Sequence, residues 1–305
     1  MNWSLLFSFV KLFGFLLLII YPTGFLLYRW IIAANKSSIS GSLVLGLFLV
    51  TLETYFLGLL GLYKFALPLI IVQTILSWFI YFTSHQAALP SPRLPLAAKT
   101  LIILSLLINS LMLVQFGRAT PQGMSLYGAH FVDSTWHLAL INSLTKSLPP
   151  QNPLFASTQL TNYHYLADLQ ISLIHRFTNI PIPDLYFRII GPFYLLILSL
   201  LVYNFVSLLT GKPLGGIAAL VFIMISSNIY YLAPLIFPQA RPTPSVMWVD
   251  FFSSKTVNYP LLFSLAILFV FFNILWINRQ LSFTRCMVLG FLSGCLFAVK
   301  SHTAL

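Results

Sequence analysis

The chain has 305 residues, of which 59% are hydrophobic and only 7% are charged, and its mean hydropathy is +0.92. Because a soluble domain has about 25% charged residues, this chain cannot cover a water-exposed globule of its size, and a soluble protein is excluded. The apolar surface is expected to face lipid, and the net charge of +11 reflects membrane topology rather than a nucleic-acid partner.

Apolar runs recur along the chain, and each membrane span needs about 20 residues. They predict an all-α, polytopic bundle of about eight transmembrane helices, at residues 10–33, 43–63, 66–84, 100–116, 187–209, 214–236, 259–277 and 286–304. Pro22 is expected to kink the first helix. Residues 1–99 form an N-terminal module of three helices and a cytoplasmic loop. Residues 100–305 form the core, with outer loops at 117–186 and 237–258.

Lysine and arginine in the short loops orient the predicted bundle, because cytoplasmic loops are enriched in these residues. If the spans alternate, one side carries Arg29, Lys36, Arg93, Lys99, Lys212, Arg279 and Arg285. That side is predicted to be cytoplasmic. We therefore expect a multi-pass protein of the plasma (inner) membrane, with the loops 117–186 and 237–258 outside.

The long outer loop is expected to be structured, since a structureless loop of this length is uncommon in a compact protein. Two amphipathic helices are predicted in it, lying in the membrane interface. The first begins at Asp133 as its N-cap and runs to Ser147, with an apolar stripe of Trp136, Leu140, Ile141 and Leu144. The second runs from Tyr163 to Phe177, with a polar stripe of His164, Asp168, Ser172 and His175.

Each of these predicted helices pairs a carboxylate with an imidazole four residues away. Asp133 is expected to face His137, and His164 to face Asp168, because this spacing puts two side chains on one helix face. Such a pair can act as a general base or bind a metal or a phosphate. The alternatives are that Asp133 is only a helix cap and that His164 and Asp168 form only a solvated face.

Cations beside aromatic residues mark the second outer loop and the last predicted span. Arg241, Asp250 and Lys255 lie in the loop 237–258, with Trp248 and Phe251. The two cations beside the aromatic residues suit a lipid phosphate or an ordinary interfacial belt. Lys300 is about 14 residues into the last predicted helix and is expected near the outer headgroups. It either holds an anionic group there or extends its ammonium group to the lipid headgroups. Glu53 lies in the second span, with no partner evident from the sequence.

The order of motifs in the outer loop is similar to that of a known superfamily. Asp133-Ser-Thr-Trp-His137 is followed by Leu148-Pro-Pro-Gln-Asn-Pro153 and then by Asn162-Tyr-His-Tyr165. This pattern, over residues 131–183, resembles the first large outer loop of bacterial and archaeal polytopic membrane glycosyltransferases of the GT-C superfamily. Members commonly have more helices, so the resemblance implies that the chain is an N-terminal fragment.

The resemblance implies an activity and a set of site residues. The enzyme is expected to move a hexosyl or pentosyl group from a polyprenyl-phosphate donor to a hydroxyl of a glycan, lipid or protein acceptor. Asp133 is implied as the active-site carboxylate, either as the base for the acceptor hydroxyl or as a metal ligand, with His137 beside it. The substrate-binding candidates are Tyr163, His164, Tyr165, Asp168, Arg241, Asp250, Lys255 and Lys300.

Metal dependence and two rival functions stay open from the sequence. The adjacent acids usual in the superfamily are absent, which argues against a diacid metal site. Asp133, His137, His164 and Asp168 are the candidate ligands if a divalent cation binds. A transporter or flippase of lipid-linked sugars needs a similar groove, although polar residues at the membrane midplane are then expected. A non-catalytic membrane protein of envelope assembly is the third alternative.

Overall fold

The computed structural model describes residues 3–32, 38–83, 94–113, 118–121, 123–125, 130–155, 157–224, 258–278 and 280–300. Over these residues the protein is almost entirely helical. The first helical stretch comprises α1 (Trp3–Phe15), a π-helical segment (Leu16–Ile20) and α2 (Tyr21–Ile32), and is followed by α3 (Ile39–Leu59), a 3-10 turn (Tyr63–Phe65), α4 (Ala66–Thr83) and α5 (Leu96–Leu113).

The second half of the described chain begins with a two-stranded antiparallel ribbon of β1 (Arg118–Thr120) and β2 (Gly123–Ser125). The helices that follow are α6 (His130–Leu144), α7 (Leu166–Thr178), α8 (Ile182–Asp184), a π-helical segment (Leu185–Ile189) and α9 (Ile190–Thr210). The last are α10 (Pro213–Met224), α11 (Tyr259–Ile277), α12 (Phe283–Gly294) and α13 (Leu296–Val299).

Five helices of the described chain are long and apolar enough to cross a membrane, which supports the prediction of a polytopic membrane protein. They are Leu5–Ile32, Ile39–Leu59, Tyr63–Thr83, Ile182–Thr210 and Tyr259–Ile277. The other three predicted spans coincide with shorter apolar helices, at Leu96–Leu107, Pro213–Ile223 and Phe283–Val299. The predicted span 214–236 is described only as far as residue 224.

Contacts between helix termini define two ends of the bundle. At one end, which we call the site end, Leu148 lies against Gly58 at the end of α3, and the Tyr63 hydroxyl donates to the Leu144 carbonyl. At the opposite end, Asn278 Nδ2 donates to Ile32 O at 2.8 Å, and Trp276 Nε1 donates to Leu208 O at 3.3 Å. The described spans therefore run alternately between the two ends.

The first span contains Pro22, and α4 compensates for the hydrogen bond that this proline cannot make. A proline has no N–H to offer the carbonyl four residues before it, which here is Leu18 O. Trp78 Nε1 donates to Leu18 O at 2.9 Å, and Thr74 Oγ1 donates to Ile19 O at 3.1 Å. The π-helical segment Leu16–Ile20 ends two residues before the proline, and such segments accompany irregularities in helices.

Helices α2 and α3 pack so closely that only glycine fits at two positions of their interface. A Cβ at Gly24 would lie 1.9 Å from the Ser42 carbonyl oxygen, and a Cβ at Gly46 would lie 2.5 Å from Ile20 O. Small residues at such crossings bring two backbones together, and this is a common mode of helix association in membranes.

We predict that Gly24→Ala destabilises the protein, because the added methyl group must push two helix backbones apart. Overpacking of this kind costs about 1–3 kcal/mol, so the melting temperature in detergent is expected to fall. Gly14→Ala is the matched control, since a Cβ at Gly14 meets nothing within 4 Å. Equal melting temperatures for the two variants would contradict the close approach.

Candidate functional site

Helix α7 lies inside the bundle at the site end rather than on its surface. Residues 166–174 are all buried, and the helix packs against α1, α3, α6 and α11. The alternative that His164 and Asp168 form only a solvated face therefore does not hold for Asp168, whose exposed fraction is 1%, and Ser172 of the same polar stripe is 0% exposed. A polar stripe in a sequence shows which residues share a face, but that face here contacts protein groups instead of water.

The buried carboxylate of Asp168 is the centre of a polar cluster. His137 Nδ1 lies 2.9 Å from Asp168 Oδ1 and 3.2 Å from Oδ2. The hydroxyl of Tyr259, at the start of α11, donates to the same Oδ1 atom. A carboxylate only accepts hydrogen bonds, so Nδ1 of His137 is the ring atom that donates. The other ring nitrogen, Nε2, is then the one left for chemistry.

The pairing of acids with histidines differs from the prediction. Asp168 pairs with His137 from α6, 31 residues away, instead of with His164. His164 precedes α7, which begins at Leu166, so the helical spacing that predicted its pair does not apply. Asp133 lies within the first turn of α6, which begins at His130, and is not the N-cap of that helix.

Two tyrosines enclose the imidazole of His137. The Tyr186 ring is stacked with it at a centroid distance of 6.0 Å, and the Tyr259 ring meets it edge-on at 5.9 Å. The two tyrosine rings also contact each other edge-on at 5.2 Å. Neither tyrosine was among the predicted site residues. Tyr259 lies between Asn258 and Pro260, which mark a helix start, whereas no local signal marks Tyr186.

The charges around His137 determine its protonation. Burial of the ring lowers the pKa, but the charge and the hydrogen bond of Asp168, with the charge of Asp133, raise it more. The charge of Lys300, which follows α13, acts in the opposite direction. The net result is that the pKa of His137 lies above its ordinary value of 6.5. The structure thus brings together four of the predicted residues: Asp133, His137, Asp168 and Lys300.

An aromatic group borders this cluster. Trp136 meets Tyr163 edge-on with ring centroids 5.4 Å apart, and Tyr163 stacks on His164 at 4.8 Å. Burial, followed by the charge of Asp168, raises the pKa of Tyr163. Tyr165 faces elsewhere, because its ring contacts Tyr55 of α3 at 5.9 Å. Of the predicted motif, Tyr163 and His164 therefore lie beside Trp136, and Tyr165 packs into the bundle.

The remaining predicted residues lie apart from the cluster or outside the described chain. Arg241, Asp250 and Lys255 belong to residues 225–257, which the structure does not describe. Glu53 now has a partner, since its Oε1 accepts a hydrogen bond from Gln73 Nε2 of α4 at 3.0 Å. A cavity of about 340 Å³ between α1, α3 and α9 has no site residue in its lining.

The four candidate metal ligands are not arranged as a metal site. Among the described residues, no three side chains of His, Cys, Asp or Glu are grouped so that they could hold an ion. The Nδ1 atom of His137 is engaged by Asp168, and the His164 ring is stacked on Tyr163. The shared four-residue site that was considered from the sequence is therefore not supported by the geometry.

These observations define a class: a polytopic helical membrane protein with a buried Asp–His–Tyr cluster at one end of its bundle. Comparison of the chain with protein-family models, with curated proteins and with solved structures returns no match.

We predict that part of the folding free energy depends on pH through the contact between His137 and Asp168. A histidine whose pKa is raised by folding stabilises the folded state fully below about pH 6.5 and loses that contribution as the pH rises through the raised value. The difference in unfolding free energy between wild type and Asp168→Asn, measured in detergent, is expected to narrow as the pH increases from about 6 to 9.

The control for this measurement is Thr178→Val, which alters a buried side chain of the same helix that does not titrate. Thr178 Oγ1 donates to the Ile174 carbonyl oxygen at 2.6 Å. Because no titratable group is changed, we expect this variant to differ from wild type by an amount that does not vary with pH. A constant difference for Asp168→Asn as well would show that the carboxylate does not influence His137.

Proposed function

We propose that this chain is the core of a membrane glycosyltransferase that moves a sugar from a polyprenyl phosphate to an acceptor hydroxyl outside the cell. The observation that carries the proposal is that Asp133 and His137 of α6, Asp168 of α7 and Lys300 after α13 come together at one end of an apolar bundle. Carboxylate, imidazole and ammonium groups together can deprotonate a hydroxyl and stabilise a leaving phosphate. The resemblance of the outer-loop motifs to GT-C glycosyltransferases supports the same activity.

The proposed reaction assigns one step to each group. The acceptor oxygen forms a bond to the anomeric carbon, while the bond between that carbon and the donor phosphate oxygen breaks. The proton of the acceptor hydroxyl passes to the Asp133 carboxylate, which is exposed and lies one helical turn from His137. Polyprenyl phosphate leaves with an additional negative charge. Lys300 and the imidazolium of His137 stabilise that charge, and such stabilisation favours the transition state.

The membrane topology proposed here has eight spans and places the site end outside. Arg29, Lys99, Lys212 and Arg285 flank helix ends that lie away from the site residues in the alternating arrangement. Because cytoplasmic loops are enriched in basic residues, that opposite end is proposed to be cytoplasmic. The cluster around Asp168 then lies at the outer face of the plasma membrane, at the depth of a lipid headgroup.

The experiment that tests the function uses membranes containing the chain and radiolabelled polyprenyl-phosphate sugars. We predict that Asp133→Asn lowers transfer to glycan, lipid or protein acceptors by about 10²–10⁴-fold, the usual contribution of a general base. Asp184→Asn is the matched control, because Asp184 forms a partly buried pair with Arg188 one helical turn away and is not among the charges that shift the pKa of His137. Expression of each variant is measured in parallel.

The outcomes of this experiment separate the candidate functions. Transfer that is abolished by Asp133→Asn but retained by Asp184→Asn supports the proposal. Equal transfer in both variants would remove Asp133 from the chemistry. Movement of the intact lipid-linked sugar across the bilayer without transfer would indicate a transporter instead.

We further predict that Lys300→Gln reduces kcat/KM for the lipid-linked donor by about 10²-fold, since one fixed cation at a developing charge contributes an effect of this size. Lys300→Arg keeps the charge and is expected to retain part of the activity. Lys212→Gln removes a cation from the opposite end of the bundle and is expected to leave kcat/KM unchanged. A loss of equal size in Lys212→Gln would mean that net charge, rather than the site, is responsible.

A further inference from the structure

Tyr259 occupies a fixed position at the start of α11. The Asn258 side chain caps the helix by accepting a hydrogen bond from the Leu261 N–H at 3.3 Å, and Pro260 occupies the first turn, where a proline is favourable. The Tyr259 side chain is 2% exposed. The helix start therefore holds the phenol ring in place before any contact with the site is considered.

The phenol of Tyr259 meets both members of the pair formed by His137 and Asp168. Its O–H donates to Asp168 Oδ1, the same atom that lies 2.9 Å from His137 Nδ1. Its ring contacts the imidazole edge-on, with the two ring centroids 5.9 Å apart. One side chain of α11 thus contacts the carboxylate and the imidazole together.

We infer that Tyr259 is a positioning residue, whose phenol O–H orients the Asp168 carboxylate so that His137 donates through Nδ1 and presents Nε2 to the phosphate of the substrate. This inference deepens the proposed function, since it names His137 Nε2 as the atom that recognises the phosphate. Two donors on one carboxylate oxygen also share its acceptor capacity. The strength of the phenol hydrogen bond therefore tunes how strongly the carboxylate holds the imidazolium.

A second buried tyrosine provides the comparison that separates positioning from simple burial. Tyr194 of α9 is fully buried, and its hydroxyl donates to Gln170 Oε1, two residues beyond Asp168 on α7. Both phenols therefore donate a hydrogen bond to a buried polar side chain of α7. Only the partner of Tyr259 is a carboxylate that also binds an imidazole. Replacing either tyrosine by phenylalanine removes one buried hydroxyl and leaves the ring.

The test is the titration of His137 in the full chain, measured by nitrogen NMR of ¹⁵N-histidine protein in detergent. The chain has six histidines, and the spectrum of His137→Gln identifies the resonances of His137. The groups whose charges act on it are Asp133 of α6, Asp168 of α7 and Lys300 after α13, and all three are retained in the variants. Wild type is expected to keep Nδ1 protonated throughout the titration.

In Tyr259→Phe, the midpoint of the His137 titration is expected to move to higher pH, because the carboxylate no longer shares its oxygen with the phenol. Tyr194→Phe is expected to titrate as wild type does. If Tyr259→Phe does not fold, 3-fluorotyrosine inserted at position 259 keeps the shape and makes the phenol a stronger donor. The midpoint is then expected to move to lower pH.

An unchanged His137 titration in the variants at position 259 would overturn the inference, as would an equal shift in Tyr194→Phe. The test also has a readout on turnover, since the pH profile of transfer should move with the NMR midpoint. A shift in the NMR midpoint without any transfer by wild type would leave the positioning role intact and refute the glycosyltransferase. Transfer by wild type with an unshifted NMR midpoint in the variants would support the glycosyltransferase and refute the positioning role of Tyr259.

Discussion

The burial of one carboxylate, Asp168, constrains the whole site end of this protein. An ionised group away from water is costly unless hydrogen bonds compensate for the lost solvation. His137 and Tyr259 supply those bonds from α6 and α11, so three separate parts of the chain must come together for α7 to enter the bundle. Asp133 and Lys300 lie close enough to His137 for their charges to act on its pKa, and the proposed chemistry depends on that arrangement.

In the apolar part of the bundle, every backbone N–H and C=O group needs a hydrogen-bond partner from the protein, because a bilayer offers no water to bind unpaired groups. Trp78 supplies the donor that Pro22 lacks, and Thr74 binds the next carbonyl oxygen. Gly24 and Gly46 let α2 and α3 approach closely enough to pack without large side chains. These contacts build a rigid scaffold from the first spans, and the turn after α3 then meets the outer-loop segment through Tyr63 and Leu148.

Sequence patterns predict much of this architecture. The places where the structure differs from those predictions have a common physical cause. Apolar runs predicted the long spans well, because length and hydropathy are local properties. Asp133, His137 and Asp168 were also recognised as chemically interesting. Their pairing was predicted within each helix, whereas His137 and Asp168 pair between α6 and α7. Helical spacing identifies residues on one face but not what that face meets, so Tyr259 and Tyr186 were missed and the burial of the polar stripe of α7 was not predicted.

The central claim is that His137 and Asp168 are energetically coupled across two helices, and a double-mutant cycle tests it most directly. Unfolding free energies in detergent are measured for wild type, His137→Gln, Asp168→Asn and the double variant. A contact between the two side chains predicts a coupling energy of about 0.5–3 kcal/mol. Effects that add to within about 0.3–0.5 kcal/mol would mean that the two side chains do not interact, and would contradict the account of the site.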